Sequence, residues 1–255
     1  MPIAFVHGVP ETSAIWSALV EALESRGIGD IHLLTPPGFG APVPQDFEPI
    51  QSSYRDWLID ELEVLGGNVD LVGHDWGAGH VYGALARRTD LIRSWVTDSA
   101  GLMHVDYEWH DMARAFQTPD VGEQSVAALF GGTLADRANM LIGFGVPADT
   151  AELVSADQNE EMARCILALY RSAAQPAMAN LSRYLAESEQ RPGLIFAPTE
   201  DHFAGTQQMY TEVATTLGAD LLTLNGFNHW WMFGEGAAIG ADALIAHWHA
   251  AAQRA

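Results

Sequence analysis

Val69-Asp70-Leu71-Val72-Gly73-His74-Asp75-Trp76-Gly77-Ala78 is the stretch on which the reading of this chain turns. Residues 69–72 form a short apolar run of strand length, and the pattern from Ala78 to about 88 is helical. Where a buried strand turns sharply into a helix around one reactive side chain, neighbouring backbones crowd the positions two before and two after it, and only small residues fit there. Gly73 and Gly77 occupy those positions around Asp75. A carboxylate at such an elbow disfavours serine-type acyl transfer and suits attack on a saturated carbon, with an ester of Asp75 as the product. The plain alternative, an Asp that caps the following helix, would not call for glycine on both sides.

Working outward, the same alternation recurs. Residues 2–6 read as a buried strand ending in His7-Gly8-Val9-Pro10, followed by an amphipathic helix over 13–26 that stops at Gly27. Strands are expected at 31–34, 94–97, 194–197 and 221–224, and a helix over 53–65. Strand and helix in alternation argue a mostly parallel sheet of about six strands, covered on both faces. From 103 to 189 the rhythm breaks, and only helical segments are expected, at 105–116, 125–130, 159–172 and 177–186. The division that follows is a core of 1–102 and 190–255 with a helical insertion of 103–189 over one end of the sheet.

Composition narrows the function. The 255 residues carry 33 acidic side chains against 12 basic ones, for a formal charge of −21, and every basic residue is Arg, so lysine chemistry is excluded. Such a field repels phosphate backbones and anionic membranes, which points away from nucleic acid and membranes and toward a neutral small-molecule substrate. The lone Cys165 has no partner for a disulfide and no neighbours at metal-ligand spacing. With no signal-like start and no long apolar run, a cytoplasmic location is the expectation. Neither a cofactor nor a metal is called for.

Taken together, these motifs resemble the α/β-hydrolase fold family, and within it the epoxide hydrolase branch with an Asp nucleophile. His7-Gly8-Val9-Pro10-Glu11 resembles the loop that supplies an oxyanion-hole amide, Pro37-Gly38-Phe39-Gly40 a glycine turn, and Gly73 to Ala78 the elbow. Phe196-Ala197-Pro198-Thr199-Glu200-Asp201 resembles the strand end that carries the acid, and His229-Trp230 the catalytic histidine with its following aromatic. The resemblance implies Asp75 as nucleophile, His229 as the base that activates water, Asp201 as its orienting acid, and the Val9 and Trp76 backbone amides as the oxyanion hole. Asp98 follows an earlier strand, where some haloalkane dehalogenases carry their acid, and stays open as the alternative to Asp201. Within the helical cap, Tyr170 of Leu169-Tyr170-Arg171 corresponds to a ring-opening tyrosine. The second tyrosine usual in the family falls at Met112, with Tyr107 about a turn away.

The family's two leading antiparallel strands have no counterpart in the six residues before the His-Gly loop. That edge lies far from the site, so the expected effect is on stability or association, a homo-oligomer included, rather than on chemistry. The function implied is epoxide opening to a vicinal diol. One alternative is haloalkane dehalogenation on the same triad, for which Trp109 is the candidate second halide donor in the cap. The other is a binding protein on a hydrolase scaffold that turns nothing over.

Overall fold

Apolar runs buried on both faces have to lie inside a sheet clad by helices. The computed structural model describes residues 1–254, and in it β1 (Ile3–Val6) and β3 (Val69–Gly73) are such runs, buried at every position. With β2 (Ile31–Leu34), β4 (Ile92–Thr97), β5 (Gly193–Pro198) and β6 (Asp220–Leu224) they form one six-stranded sheet in the order β2-β1-β3-β4-β5-β6, every neighbouring pair parallel. This is the α/β-hydrolase arrangement expected from the sequence.

Parallel neighbours need crossovers, and the helices supply them. A 3₁₀ turn and α1 (Ser17–Glu24) follow β1, α2 (Gln51–Val64) follows β2, and α3 (Trp76–Leu85) follows β3. Later, α10 (Gln207–Leu217) links β5 to β6, and α11 (Gly234–Arg254) closes the fold. Two apolar clusters form, one including Tyr54, Leu58, Trp76 and Trp95, the other Phe5, Trp16, Phe196 and Trp231. Among the described residues no helix is long and apolar enough to cross a membrane.

From β1 the chain steps to β2 on one side and then to β3 on the other. Loops leaving two adjacent strands in opposite directions open a crevice at the strands' carboxyl ends, and ligand sites form there. The loop after β1 and the elbow after β3 flank this crevice, and the ends of β4, β5 and β6 continue the row.

Between β4 and β5 lie α4 (Asp111–Gln117), α5 (Val121–Phe130), α6 (Leu134–Gly143), α7 (Ala148–Asp157), α8 (Glu160–Ser172) and α9 (Ala177–Glu187). The helix expected over 105–116 begins only at Asp111. His110 accepts the Ala113 N–H through Nδ1 and caps α4 there, while Tyr107 and Trp109 pack inward from non-helical backbone. Two further helices, α6 and α7, lie inside the expected helical insertion but outside the segments whose periodicity marks them. Thr133 and Asp136 form a capping box that starts α6.

Candidate active site

Asp75 sits at the apex of the turn from β3 into α3, with φ 51° and ψ −120°. A positive φ at a residue with a Cβ costs on the order of 1–3 kcal/mol, so its surroundings must hold it there. They do so through contacts of the backbone: the Asp75 N–H donates to Asp98 Oδ1 at 3.1 Å, and the elbow packs against β1 without space for side chains. A Cβ added to Gly77 would lie 2.1 Å from the Val6 carbonyl oxygen, and one added to Gly8 would lie 2.3 Å from Asp75 Cβ. The Asp75 side chain makes no capping bond to α3, so the helix-cap reading does not hold. Its Oδ1 instead accepts the Val9 N–H at 2.9 Å. Trp76, as the first residue of α3, has a backbone N–H outside the helix ladder.

Facing Asp75 is His229. Its Nδ1 donates to Asp201 Oδ2 at 2.9 Å, which leaves Nε2 toward Asp75 Oδ2 at 3.8 Å, and Asp201 Oδ1 is pinned by the Phe203 N–H at 2.8 Å. Burial pulls His229 down most strongly of any single influence, but the Asp201 charge, the hydrogen bond to Asp201 and the Asp75 charge together outweigh it, and the imidazole ends above its ordinary value. Burial lifts Asp75 to about 6 against the opposing pull of His229 and His74, so the carboxylate is largely ionised at neutral pH. A carboxylate, an oriented imidazole and the Val9 backbone N–H thus converge on one spot. They can support nucleophilic attack by Asp75 and then general-base attack by water on the resulting ester.

Asp98 does not reach His229. It belongs to a second, wholly buried group: Asp98 Oδ2 lies 2.6 Å from His74 Nδ1 and also accepts Trp231 Nε1–H at 2.6 Å. On its other side His74 Nε2 meets Glu11 Oε1 at 3.3 Å, and that carboxylate takes the Trp230 indole N–H. Desolvation works against charge on His74 and on Glu11, yet His74 is raised well above its usual value by Asp98 and Glu11, and His74 holds Glu11 at about 2. His74 is therefore an imidazolium between two carboxylates, its ring 4.6 Å from that of His229. Glu11, His74 and His229 offer ligand atoms within 4.8 Å of one another, but both nitrogens of His74 already face carboxylates, so the set does not fit a metal ion.

A cavity opens over these groups; Asp75, His229 and Tyr170 line it together with mostly apolar side chains, His110, Gln158 and one arginine, Arg137. Tyr170 packs edge-on against Trp76 at 5.2 Å between ring centroids. Burial, reinforced by the Asp75 charge, holds its phenol well above the usual range and so protonated. Tyr107 donates its hydroxyl to the Phe203 carbonyl at 2.7 Å and has no proton left to offer. Met112 lines the cavity where the second phenol is missing.

Asp75, His229, Asp201, Tyr170 and the Val9 amide are thus gathered at one place, with Asp98 diverted to His74. Sequence reasoning missed Glu11, the link from His74 to Asp98, and Arg137. The Glu11 carboxylate follows directly on the His-Gly loop, and that was the available signal. The two acids are separable by experiment. Asp201→Asn disturbs the His229 tautomer and is expected to lower turnover about a hundredfold or more. Asp98→Asn should move the thermal midpoint more than kcat. Equal losses of activity would mean that the two pairs act as one.

The model of a family described as "Alpha/beta hydrolase family" matches residues 3–254. An epoxide hydrolase from Caballeronia sordidicola is 31% identical over 99 residues, a stretch covering 36% of this chain and 29% of that protein, so less than a third of that relative's length is spanned. Among solved structures, a loop variant of a haloalkane dehalogenase from Bradyrhizobium elkanii is similar with a TM-score of 0.72 and 22% identity, over 98% of this chain and 91% of that one. A bromoperoxidase from Bacillus anthracis gives 0.73 and 20%, over 97% and 91%. At such identities the structural likeness establishes the fold.

Proposed function

This chain belongs to the alpha/beta hydrolase family, and from that premise we propose that it opens epoxides to vicinal diols through a covalent ester of Asp75. Asp75 attacks an epoxide carbon from behind the C–O bond, and the departing oxygen takes the Tyr170 proton. His229 then removes a proton from water as the water adds to the Asp75 carbonyl carbon, and the Val9 and Trp76 amides receive the oxyanion. Collapse of that intermediate passes the His229 proton to the departing diol oxygen, and the proton left on the Asp75 carboxyl group returns to the Tyr170 oxygen, which restores both carboxylate and phenol. Residues 103–189 serve as the cap that shapes the cavity over a catalytic core of 1–102 and 190–255.

The observation that carries this reading is the protonated Tyr170 phenol on the same cavity wall as Asp75. An alkoxide is a poor leaving group and needs a proton donor, whereas a halide does not. The limited likeness to an epoxide hydrolase agrees with this reading.

Dehalogenation is kept as a second reading on one specific observation. The Trp109 indole N–H is buried without a partner, and its ring stacks on Trp76 at 5.8 Å between ring centroids. Two indole donors side by side are what a halide would ask for. A panel of styrene oxide and bromoalkanes, scored for diol and for bromide, separates the readings, and release of neither product would favour a binding protein. Within the epoxide reading, Tyr170→Phe is expected to slow alkylation by styrene oxide about a hundredfold while leaving any bromide release almost unchanged. Equal losses on both substrates would make Tyr170 a packing residue.

A further inference from the structure

α6 forms one wall of the cavity. The side chains through which it lines the cavity, Arg137, the half-exposed Met140, the buried Leu141 and, at its C-cap, the half-exposed Phe144, recur at the spacing of a single helix face. Phe144 stacks on Trp230 with ring centroids 5.3 Å apart, and Trp230 lies 4.8 Å from His229, so this end of the wall adjoins the reacting groups. Arg137 stands about two turns earlier, roughly 10 Å of helix rise away. The wall therefore has a cation at one end, apolar side chains along its middle and the reaction centre at the other end.

Arg137 makes no ion pair, although the Asp136 carboxylate beside it in the chain feels its charge. Its guanidinium donates to backbone carbonyls, to Ser155 at 3.4 and 3.2 Å and to Gly132 at 3.3 Å, which leaves N–H groups on both terminal nitrogens unspent. Among the described residues no carboxylate lies within ion-pair distance of it. Seven of the other eleven arginines have a carboxylate partner, and Arg137 is the one arginine among the described residues that lines this cavity. His110, also on the wall, adds no charge at neutral pH, because burial pushes it down to about 4.

We infer that the cavity binds a monoanionic amphiphile, an apolar chain or ring system whose carboxylate rests on Arg137 and whose electrophilic carbon, at the far end of the same cavity, reaches Asp75. The inference rests on the preceding reading of Asp75. It replaces the expectation of a neutral substrate, which came from net charge alone. Surface acidity acts at a distance and is screened within about 8 Å at physiological salt, whereas a guanidinium at contact forms charge-assisted bonds to a carboxylate. Anion recognition is thus local, inside a molecule that repels anions from afar.

The test pairs 10,11-epoxyundecanoate with its methyl ester as substrates, and undecanoate with undecanol as unreactive ligands whose binding is followed by calorimetry. Wild type should favour each acid over its neutral partner roughly tenfold in kcat/KM or Kd, less so as salt rises. Arg137→Met should remove that preference by weakening the acids alone, and Arg137→Lys should restore part of it. Equal use of acid and ester by wild type would overturn the inference. So would an Arg137→Met protein that loses affinity for acid and neutral ligand by the same factor, since that is what a mere strut between α6 and α7 predicts. If Arg137→Met does not fold, the wild-type ratio and its salt dependence decide. Arg137-dependent binding of undecanoate without opening of any epoxide would leave the anion site standing and remove the epoxide reading. Opening of both epoxides without preference would do the reverse.

Discussion

A His229→Gln protein incubated with a reactive epoxide should gain the mass of one substrate and stop there. The two chemical steps ask different things of His229. Asp75, largely ionised at neutral pH, can attack without a base, whereas the second step needs water deprotonated as it adds to the ester. Only His229 Nε2, turned toward Asp75 by the Asp201 bond at Nδ1, is placed to take that proton. Turnover is expected to fall by at least ~10⁴-fold while the first alkylation persists. Intact-mass measurement followed by peptide mapping should put the label on the peptide that contains Asp75. An unmodified protein, or a label elsewhere, would contradict the covalent route and favour direct hydration or a protein that turns nothing over. Wild type in ¹⁸O-water offers a parallel reading: in a single turnover the product oxygen comes from Asp75, so the isotope enters the protein first.

The fold should also lose stability steeply between pH 6.5 and 4. His7 and His80 are wholly buried, and burial pulls them from 6.5 to about 4 and about 3. In that window the unfolded chain binds protons at these positions and the folded one does not, so stability falls as pH drops, by about 1.4 kcal/mol per unit for each group. His110, lowered to about 4 but only partly buried, adds a smaller share. Asp75 works the other way: raised to about 6, it takes its proton earlier in the folded state and recovers stability on the way down. His74 and His229, raised in the fold, contribute fully below 6.5 and add no slope there. The net loss by pH 4 is about 4 kcal/mol, comparable with the whole stability of an ordinary domain. Glu11, held at about 2, extends the decline below pH 4.5. Urea midpoints measured against pH should show this slope, and His80→Phe, which keeps a flat ring against Tyr54, should flatten it by about one proton's worth. A midpoint constant from pH 7 to 4 would refute the account.

What could be read from sequence was whatever depended on neighbours along the chain. β2 was placed at its observed ends, because an apolar run stopped by prolines is a local signal. The elbow was legible for the same reason: its glycines are two residues from the side chain they serve. Legibility failed in two ways. Periodicity alone extends α4 back to Val105, whereas Val105 is exposed, Tyr107 and Trp109 pack inward from irregular backbone, and His110 fixes the true start. The Glu11, His74 and Asp98 bridge pairs residues 63 and 24 positions apart, and nothing local marks Asp98 as the partner of His74 rather than of His229. The choice between Asp201 and Asp98 needed the packed molecule.

The clasp of Trp230 on Glu11 and Trp231 on Asp98 joins segments 219 and 133 residues apart. Contacts of that span close late, after shorter loops have formed. In refolding, the helical signal should therefore return before catalytic competence, because the loop that carries His229 is seated only when these two indoles find their carboxylates. The step that completes the site is then also the one that closes the molecule, and a half-folded chain presents no exposed nucleophile paired with its base.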